Sequence, residues 1–144
     1  MQVLTPSKKK RAGFSLAELM VVIVIIGLLA TMVVPKVVDK LFTSQVGVAK
    51  SDIVVIKNAI DTYVIQNQGN YPDSLEALVQ PDESGSTYLD GERVPIDPWG
   101  NEYLYDPPSG GEPFRVYTLG ADGSPGGEGK DQDMDHRMIL NKEV

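Results

Sequence analysis

The stretch from Lys8 to Val34, KKKRAGFSLAELMVVIVIIGLLATMVV, constrains this chain more than any other. Four consecutive cations, Lys8 to Arg11, precede Ala12 and Gly13, and an almost wholly apolar run begins at Phe14. A helix rising about 1.5 Å per residue needs about 20 apolar residues to cross the hydrocarbon of a bilayer. Phe14 to Val34 is 21 residues, almost all apolar, so the length suffices. The cations flank one side only, which assigns that side to the cytoplasm. Glu18 is out of place near the start of the run, where an unpaired charge costs a few kcal/mol. A residue that expensive calls for a function and a partner.

Three readings compete for the stretch. A cleaved secretory signal needs a small-residue A-x-A site after the run, and Ala30-Thr31-Met32-Val33-Val34-Pro35 matches it poorly. A plain signal anchor explains the length but neither Glu18 nor Gly13-Phe14. The third reading rests on a resemblance: GFSLAE at Gly13–Glu18, behind a basic leader, resembles the type IV prepilin signature. That resemblance implies cleavage between Gly13 and Phe14 on the cytoplasmic side by prepilin peptidase, with N-methylation of Phe14. The apolar helix then stays on the mature chain and packs against copies of itself. Inside such a bundle the Glu18 carboxylate would pair with the Phe14 amine of a neighbouring subunit, where a charge pair is stronger than in water. The local alternative is that Glu18 sits at i+4 from its own Phe14 amine, at a helix N-terminus that favours an anion.

Composition narrows the rest. Beyond the anchor, 144 residues leave room for one small domain. Loss of the leader's four cations leaves nine against twenty acids, a net charge of about −11. Such a chain does not track nucleic-acid phosphates. The absence of Cys excludes a disulfide framework and a thiolate metal site. His136 is the only histidine, which argues against a His-based zinc site and leaves little for nucleophilic catalysis. The chain is therefore not expected to be an enzyme.

Pro35 stands where the apolar run ends, as a helix boundary or as a kink in one continuous helix; the prepilin resemblance favours the kink. Val38, Leu41, Phe42, Val46, Ala49, Ile53, Ile56, Ile60, Tyr63 and Val64 then draw one helical stripe. Gly69-Asn70-Tyr71-Pro72 supplies a stop, with Gly69 as the C-terminal cap. The helix is expected from Phe14 to about Gln68. Asp73-Ser74-Leu75-Glu76 reads as a capping box opening a short helix through about Val79 or Gln80. Gln80 to Ile96 reads as loop, and Asp97-Pro98-Trp99-Gly100 as a turn whose Trp99 plugs the core. Strands are expected at Glu102–Tyr105 and Phe114–Leu119, joined by a hairpin loop over Pro107–Gly111, with a third at Arg137–Leu140.

Between Leu119 and Asp135 lies a run of aspartates and glycines, with Asp122, Glu128, Asp131, Asp133 and Asp135 on a flexible backbone. Hard cations take several oxygen ligands, carboxylate and carbonyl together. The spacing is not an EF-hand, and composition alone is also satisfied by a solvated acidic loop.

Tyr71-Pro72, Asp97-Pro98-Trp99-Gly100-Asn101, Leu119-Gly-Ala-Asp-Gly and Gly126-Gly127, taken with the prepilin signature, resemble the major pseudopilins of the type II secretion system, within the type IV pilin-like family. The resemblance implies one structural calcium ion in the last loop. By position, Asp122, Asp131 and Asp133 would give carboxylates and Leu119 a carbonyl, with Ser124 or Pro125 adding another. Two departures stand: only Asp73-Ser74 separates Tyr71-Pro72 from the short helix, and the closing run Gln132–Arg137 has no tryptophan.

The expected fold is α+β and pilin-like, a long N-terminal helix packed on a small C-terminal antiparallel sheet. Residues 1–13 form the leader, 14–35 the transmembrane assembly helix and 36–144 the periplasmic domain. The expected function is a structural subunit of a periplasmic pseudopilus that drives export of folded proteins across the outer membrane. Its partners would be copies of itself through the N-terminal helices, prepilin peptidase, minor pseudopilins and an inner-membrane assembly platform. It would sit as a single-pass inner-membrane protein with a cytoplasmic N-terminus, then in a periplasmic filament. The alternative is a type IV pilin of a surface fibre, though such pilins usually carry a C-terminal disulfide loop. A membrane-anchored calcium module that never polymerises would have no use for Glu18.

Overall fold

The computed structural model describes residues 13–82 and 84–141. The leader residues 1–12, with their basic block, lie outside the described residues, as do Glu83 and residues 142–144. Internal contacts divide the chain into two compact units, one ending at Asp39 and one starting at Lys40.

Helix α1 spans Leu16–Gln66 and runs through Pro35 without a break in its assignment. The proline has no N–H to give Thr31's carbonyl, and Thr31 Oγ1 donates to the Leu28 carbonyl at 2.7 Å. In the first unit the apolar side chains are exposed, Phe14 at 82% and Ile25 at 51%. In the second unit the helix buries Ala49, Ile53, Ile56, Ala59 and Ile60. The stripe read from the sequence is thus buried only in its later part, with Val46, Tyr63 and Val64 packed at its margin. Val38 and Leu41 stay exposed, because the side chains that fill the core reach α1 only from Val46 onward.

The helix ends earlier than the sequence implies. Gly69 N donates to the Val64 carbonyl at 2.8 Å, the six-to-one bond of a Schellman cap. The left-handed position that glycine favours is occupied by Gln68, at φ +59°. Gly69 follows one residue later, so the expected glycine cap is displaced by one.

The short helix after Pro72 is a single 3₁₀ turn, Leu75–Leu78, with Ser74 as N-cap and no side-chain cap bond. The expected Asp73 capping box is not formed. Instead Ser74 bonds the Glu76 side chain, which holds that carboxyl below its ordinary range. Leu75 and Leu78 enter the core from this turn.

Three strands form one antiparallel sheet in the order β1 (Leu104–Asp106), β2 (Arg115–Thr118), β3 (Met134–Asp135). The register pairs Tyr105 with Val116 and Thr118 with Met134. Along β2, Val116 and Thr118 are buried while Arg115 and Tyr117 are half-buried on the other face, with the Arg115 guanidinium 3.9 Å from the Tyr117 ring centroid. Between β1 and β2, Ser109 and Glu112 exchange both backbone bonds across Gly110 and Gly111. Both glycines have positive φ, the geometry of a type I′ turn matched to strand twist.

The expected third strand at Arg137–Leu140 is a correction. Those residues belong to helix α2, His136–Leu140, and the strand is Met134–Asp135 just before it. Asp135 caps the helix, its Oδ1 accepting from Arg137 N and Met138 N. A capping aspartate followed by a short apolar run starts a helix as readily as a strand. Burial pushes the Asp135 carboxyl up, but those two N–H bonds and the charges of Arg137 and Arg115 outweigh it and leave it lowered.

The closing run packs without a tryptophan. Met134 and His136 are buried. The imidazole stacks on Phe114 at a centroid distance of 4.8 Å. His136 Nδ1 accepts the Val116 N–H at 3.2 Å, continuing the β2–β3 ladder with a side chain. Burial pushes this histidine's pKa down, against the opposing charge of Asp135.

Candidate functional site

Two places carry the residues singled out from sequence. The first is the start of α1. Gly13 has open space where a Cβ would stand, and Phe14 is exposed. Among the described residues, Glu18 is bonded to Ser15 and not to Phe14 or a cation. Its Oε2 accepts from Ser15 N at 2.8 Å, and its own N–H donates to Ser15 Oγ at 3.2 Å. This reciprocal pair is a capping box, which satisfies two orphan donors of the helix start. The S-x-x-E spacing of Ser15 and Glu18 is its signal in the sequence. Glu18 therefore has a structural role inside its own chain, capping the start of α1.

From Leu16 onward, α1 contains a window long and apolar enough to cross a membrane, with none of that window buried. A water-exposed apolar surface of this extent is unstable by about 25 cal/mol per Å², so it requires lipid or other helices.

The second place is the acidic loop and the turn beneath it. Among the described residues, no three His, Cys, Asp or Glu side chains converge on a common point as metal ligands would. Asp122 Oδ1 accepts from Ser124 N at 3.1 Å, and Asp131 Oδ1 lies 3.9 Å from Lys130 Nζ. Asp133 Oδ2 accepts from Gly126 N at 3.0 Å. Its Oδ1 is buried with no partner, which a hydrogen bond or a cation ordinarily remedies. Leu119 is half-buried between Thr118 and Gly120. The loop closes on itself where Ala121 N donates to the Lys130 carbonyl at 2.8 Å. The donor types in the loop, aspartate carboxylates of which one oxygen is orphaned, with backbone carbonyls available along the same run, are those a hard cation takes, although the side chains do not converge on one point.

The sequence reading missed the residues that hold this loop. Asp97 is 3% exposed, and both its oxygens are engaged. Oδ1 accepts from Trp99 N at 3.0 Å and Asn101 N at 2.7 Å; Oδ2 accepts from Thr118 Oγ1 at 2.6 Å. Asn101 Nδ2 donates to the Gly120 carbonyl at 2.9 Å. The Asp97–Thr118 and Asn101–Gly120 pairs lie 21 and 19 residues apart, beyond any local pattern. Trp99 packs against the core margin as expected of a plug.

Comparison with known proteins places both regions. The family profile "Type II secretion system (T2SS), protein G" matches residues 36–137, and that of the "Prokaryotic N-terminal methylation motif" matches residues 8–34. The chain is 43% identical to the type II secretion system core protein G of Pseudomonas aeruginosa, over 88% of this chain and 95% of that one. It is 42% identical to the protein of the same description from Vibrio cholerae, over 88% and 91%. Its fold is similar to the crystal structure of the major pseudopilin from the type 2 secretion system of enterohaemorrhagic Escherichia coli. The TM-score is 0.54 at 26% identity, covering 70% of this chain and 89% of that one.

Proposed function

The chain belongs to the type II secretion system protein G family and is a major pseudopilin, and from that premise we propose how its parts work. Prepilin peptidase cuts between Gly13 and Phe14 and methylates the Phe14 amine. The helix from Phe14 to about Pro35 holds the chain in the inner membrane, N-terminus in the cytoplasm, until assembly. It then packs against copies of itself in a periplasmic pseudopilus, with minor pseudopilins and an inner-membrane assembly platform as partners. The part played is mechanical and not catalytic. The observation that carries this reading is the exposed apolar half of α1, which finds in a filament the partners its own chain does not supply. A surface fibre of type IV pili is not favoured.

Glu18 serves twice in this account. Its capping bonds start the helix, and its charge pairs with the Phe14 amine of the next subunit once water is excluded. In the acidic loop Asp122, Asp131 and Asp133 would hold one calcium ion, with carbonyls from Leu119 and Ser124 or Pro125. The ion supplies the positive charge that lets three carboxylates share a loop. The unpartnered Asp133 Oδ1 supports this.

Intact-mass measurement of membrane-extracted protein tests the processing. The mature chain should begin at Phe14 with one added methyl group, and Gly13→Leu should leave the leader attached. Because a Cβ at residue 13 meets nothing among the described residues, a trimming defect in that variant reports recognition by the peptidase and not misfolding. A mature terminus near Val33 would contradict the reading.

A further inference from the structure

We propose that Asp97 and Asn101 are positioning residues for the acidic loop, setting the backbone around Leu119 before an ion arrives; this rests on the calcium reading above. The geometry is a clamp on both sides of Leu119. On one side, Thr118 Oγ1 donates to Asp97 Oδ2 at 2.6 Å and accepts from Gly120 N at 3.2 Å. On the other, Asn101 Nδ2 holds the Gly120 carbonyl at 2.9 Å. Both polar backbone groups of Gly120 are thereby tied, directly or through one hydroxyl, to a single turn. The turn is itself rigid. Asp97 Oδ1 accepts its two N–H bonds from Trp99 and Asn101, and Asp97 N and Gly100 N close the backbone ring with Asn101 and Asp97 carbonyls.

Fixing Gly120 also fixes the far end of the loop. At φ +73°, a Cβ on Gly120 would stand 2.7 Å from the Asp131 carbonyl carbon and 2.8 Å from the Lys130 oxygen. The two backbones are in contact, and only glycine allows that approach. The turn thus sets Leu119 by clamping its neighbours and Asp131 by contact. A loop ordered in advance spends less of the binding free energy on its own ordering, and groups behind the ligands govern metal affinity for this reason.

The test uses the full-length chain in detergent micelles, with calcium titrated calorimetrically and melting followed in chelator. The variants are Asn101→Ala, Thr118→Val and Thr118→Ser. Asn101→Ala and Thr118→Val should raise the calcium Kd by about tenfold or more. Thr118→Ser, which keeps the hydroxyl, should restore it to near the wild-type value. Amide exchange at Gly120 and Ala121 in chelator should speed up in Asn101→Ala while its melting temperature stays close to wild type. That variant decides the matter if Thr118→Val does not fold. Wild-type chain that binds calcium, with Asn101→Ala binding equally well, overturns this inference alone. Wild-type chain that takes up no calcium at millimolar concentration overturns the calcium reading and this inference together.

Discussion

The early and late parts of α1 share one backbone pattern and differ in what their apolar side chains meet. Between Leu16 and Val38 the large aliphatic residues are exposed, and between Ala49 and Ile60 the inward residues are buried under the chain's own loops and sheet. The same chemistry, burial of apolar surface, is completed inside the chain in one region and outside it in the other. Substitutions should therefore show up in different assays. In the late region they should cost folding stability; in the early region they should leave the folded domain alone and act on insertion or assembly.

The sharpest contrast is between two isoleucines. Ile56 is fully buried and Ile25 is 51% exposed. Ile56→Ala should destabilise the folded domain by roughly 2–5 kcal/mol through lost transfer energy and a residual cavity. Ile25→Ala should leave the domain's denaturation midpoint unchanged. Equal effects from the two, read by chemical denaturation in detergent, would break the comparison.

A smaller effect separates the regions by pH. His136 lies wholly within the late region's fold, and burial lowers its pKa below 6.5. The unfolded chain takes up its proton from about pH 6.5 downward, while the folded chain resists until a lower pH. Stability should thus be full above pH 6.5 and fall as the pH drops through that window. Protonation also places a hydrogen on Nδ1, the atom that accepts the Val116 N–H. Melting curves between pH 7.5 and 5 should show the fall in the wild type. His136→Phe should have a flatter profile, at a constant cost of about 1–3 kcal/mol for the unpaired amide.

The smallest expected change is a gain. Gln68 holds a left-handed conformation at the end of α1. Gln68→Gly should stabilise the domain by up to about 1 kcal/mol, because glycine takes that conformation without a Cβ penalty. A loss of melting temperature would mean that the Gln68 side chain contributes more than its backbone strain costs.

The two regions also differed in how much their sequence disclosed. The early region's message is local: the basic block and the apolar run are adjacent and read from composition and length, while Gly13-Phe14 and Glu18 take their meaning from the resemblance to the prepilin signature. The Ser15–Glu18 capping box is a local signal of the same kind, carried by its S-x-x-E spacing. In the late region the later part of the stripe on α1 and the hairpin joining the first two strands are legible because they are periodic or nearest-neighbour features. What was not legible depends on contacts across the chain. Asp97 looked like a turn residue, and its bond to Thr118 exists only once β2 has folded beside it. Arg137–Leu140 looked like a strand because Met138, Ile139 and Leu140 suit either state, and the deciding element was the Asp135 cap. Gln68 is left-handed one residue before the glycine that local preference would choose, an offset that no local pattern announces.

The central claim is that Glu18 carries a charge for a partner outside its own chain, beyond capping its own helix. Glu18→Gln separates the two roles, since glutamine fills the same capping position and keeps both bonds to Ser15 while losing the charge. Pseudopilus assembly by this variant, scored by electron microscopy alongside intact mass, is the direct measurement. The account predicts a chain that is inserted and trimmed normally but forms no filaments. Filaments at wild-type abundance from Glu18→Gln would show that capping is sufficient, and would contradict the intersubunit charge pair.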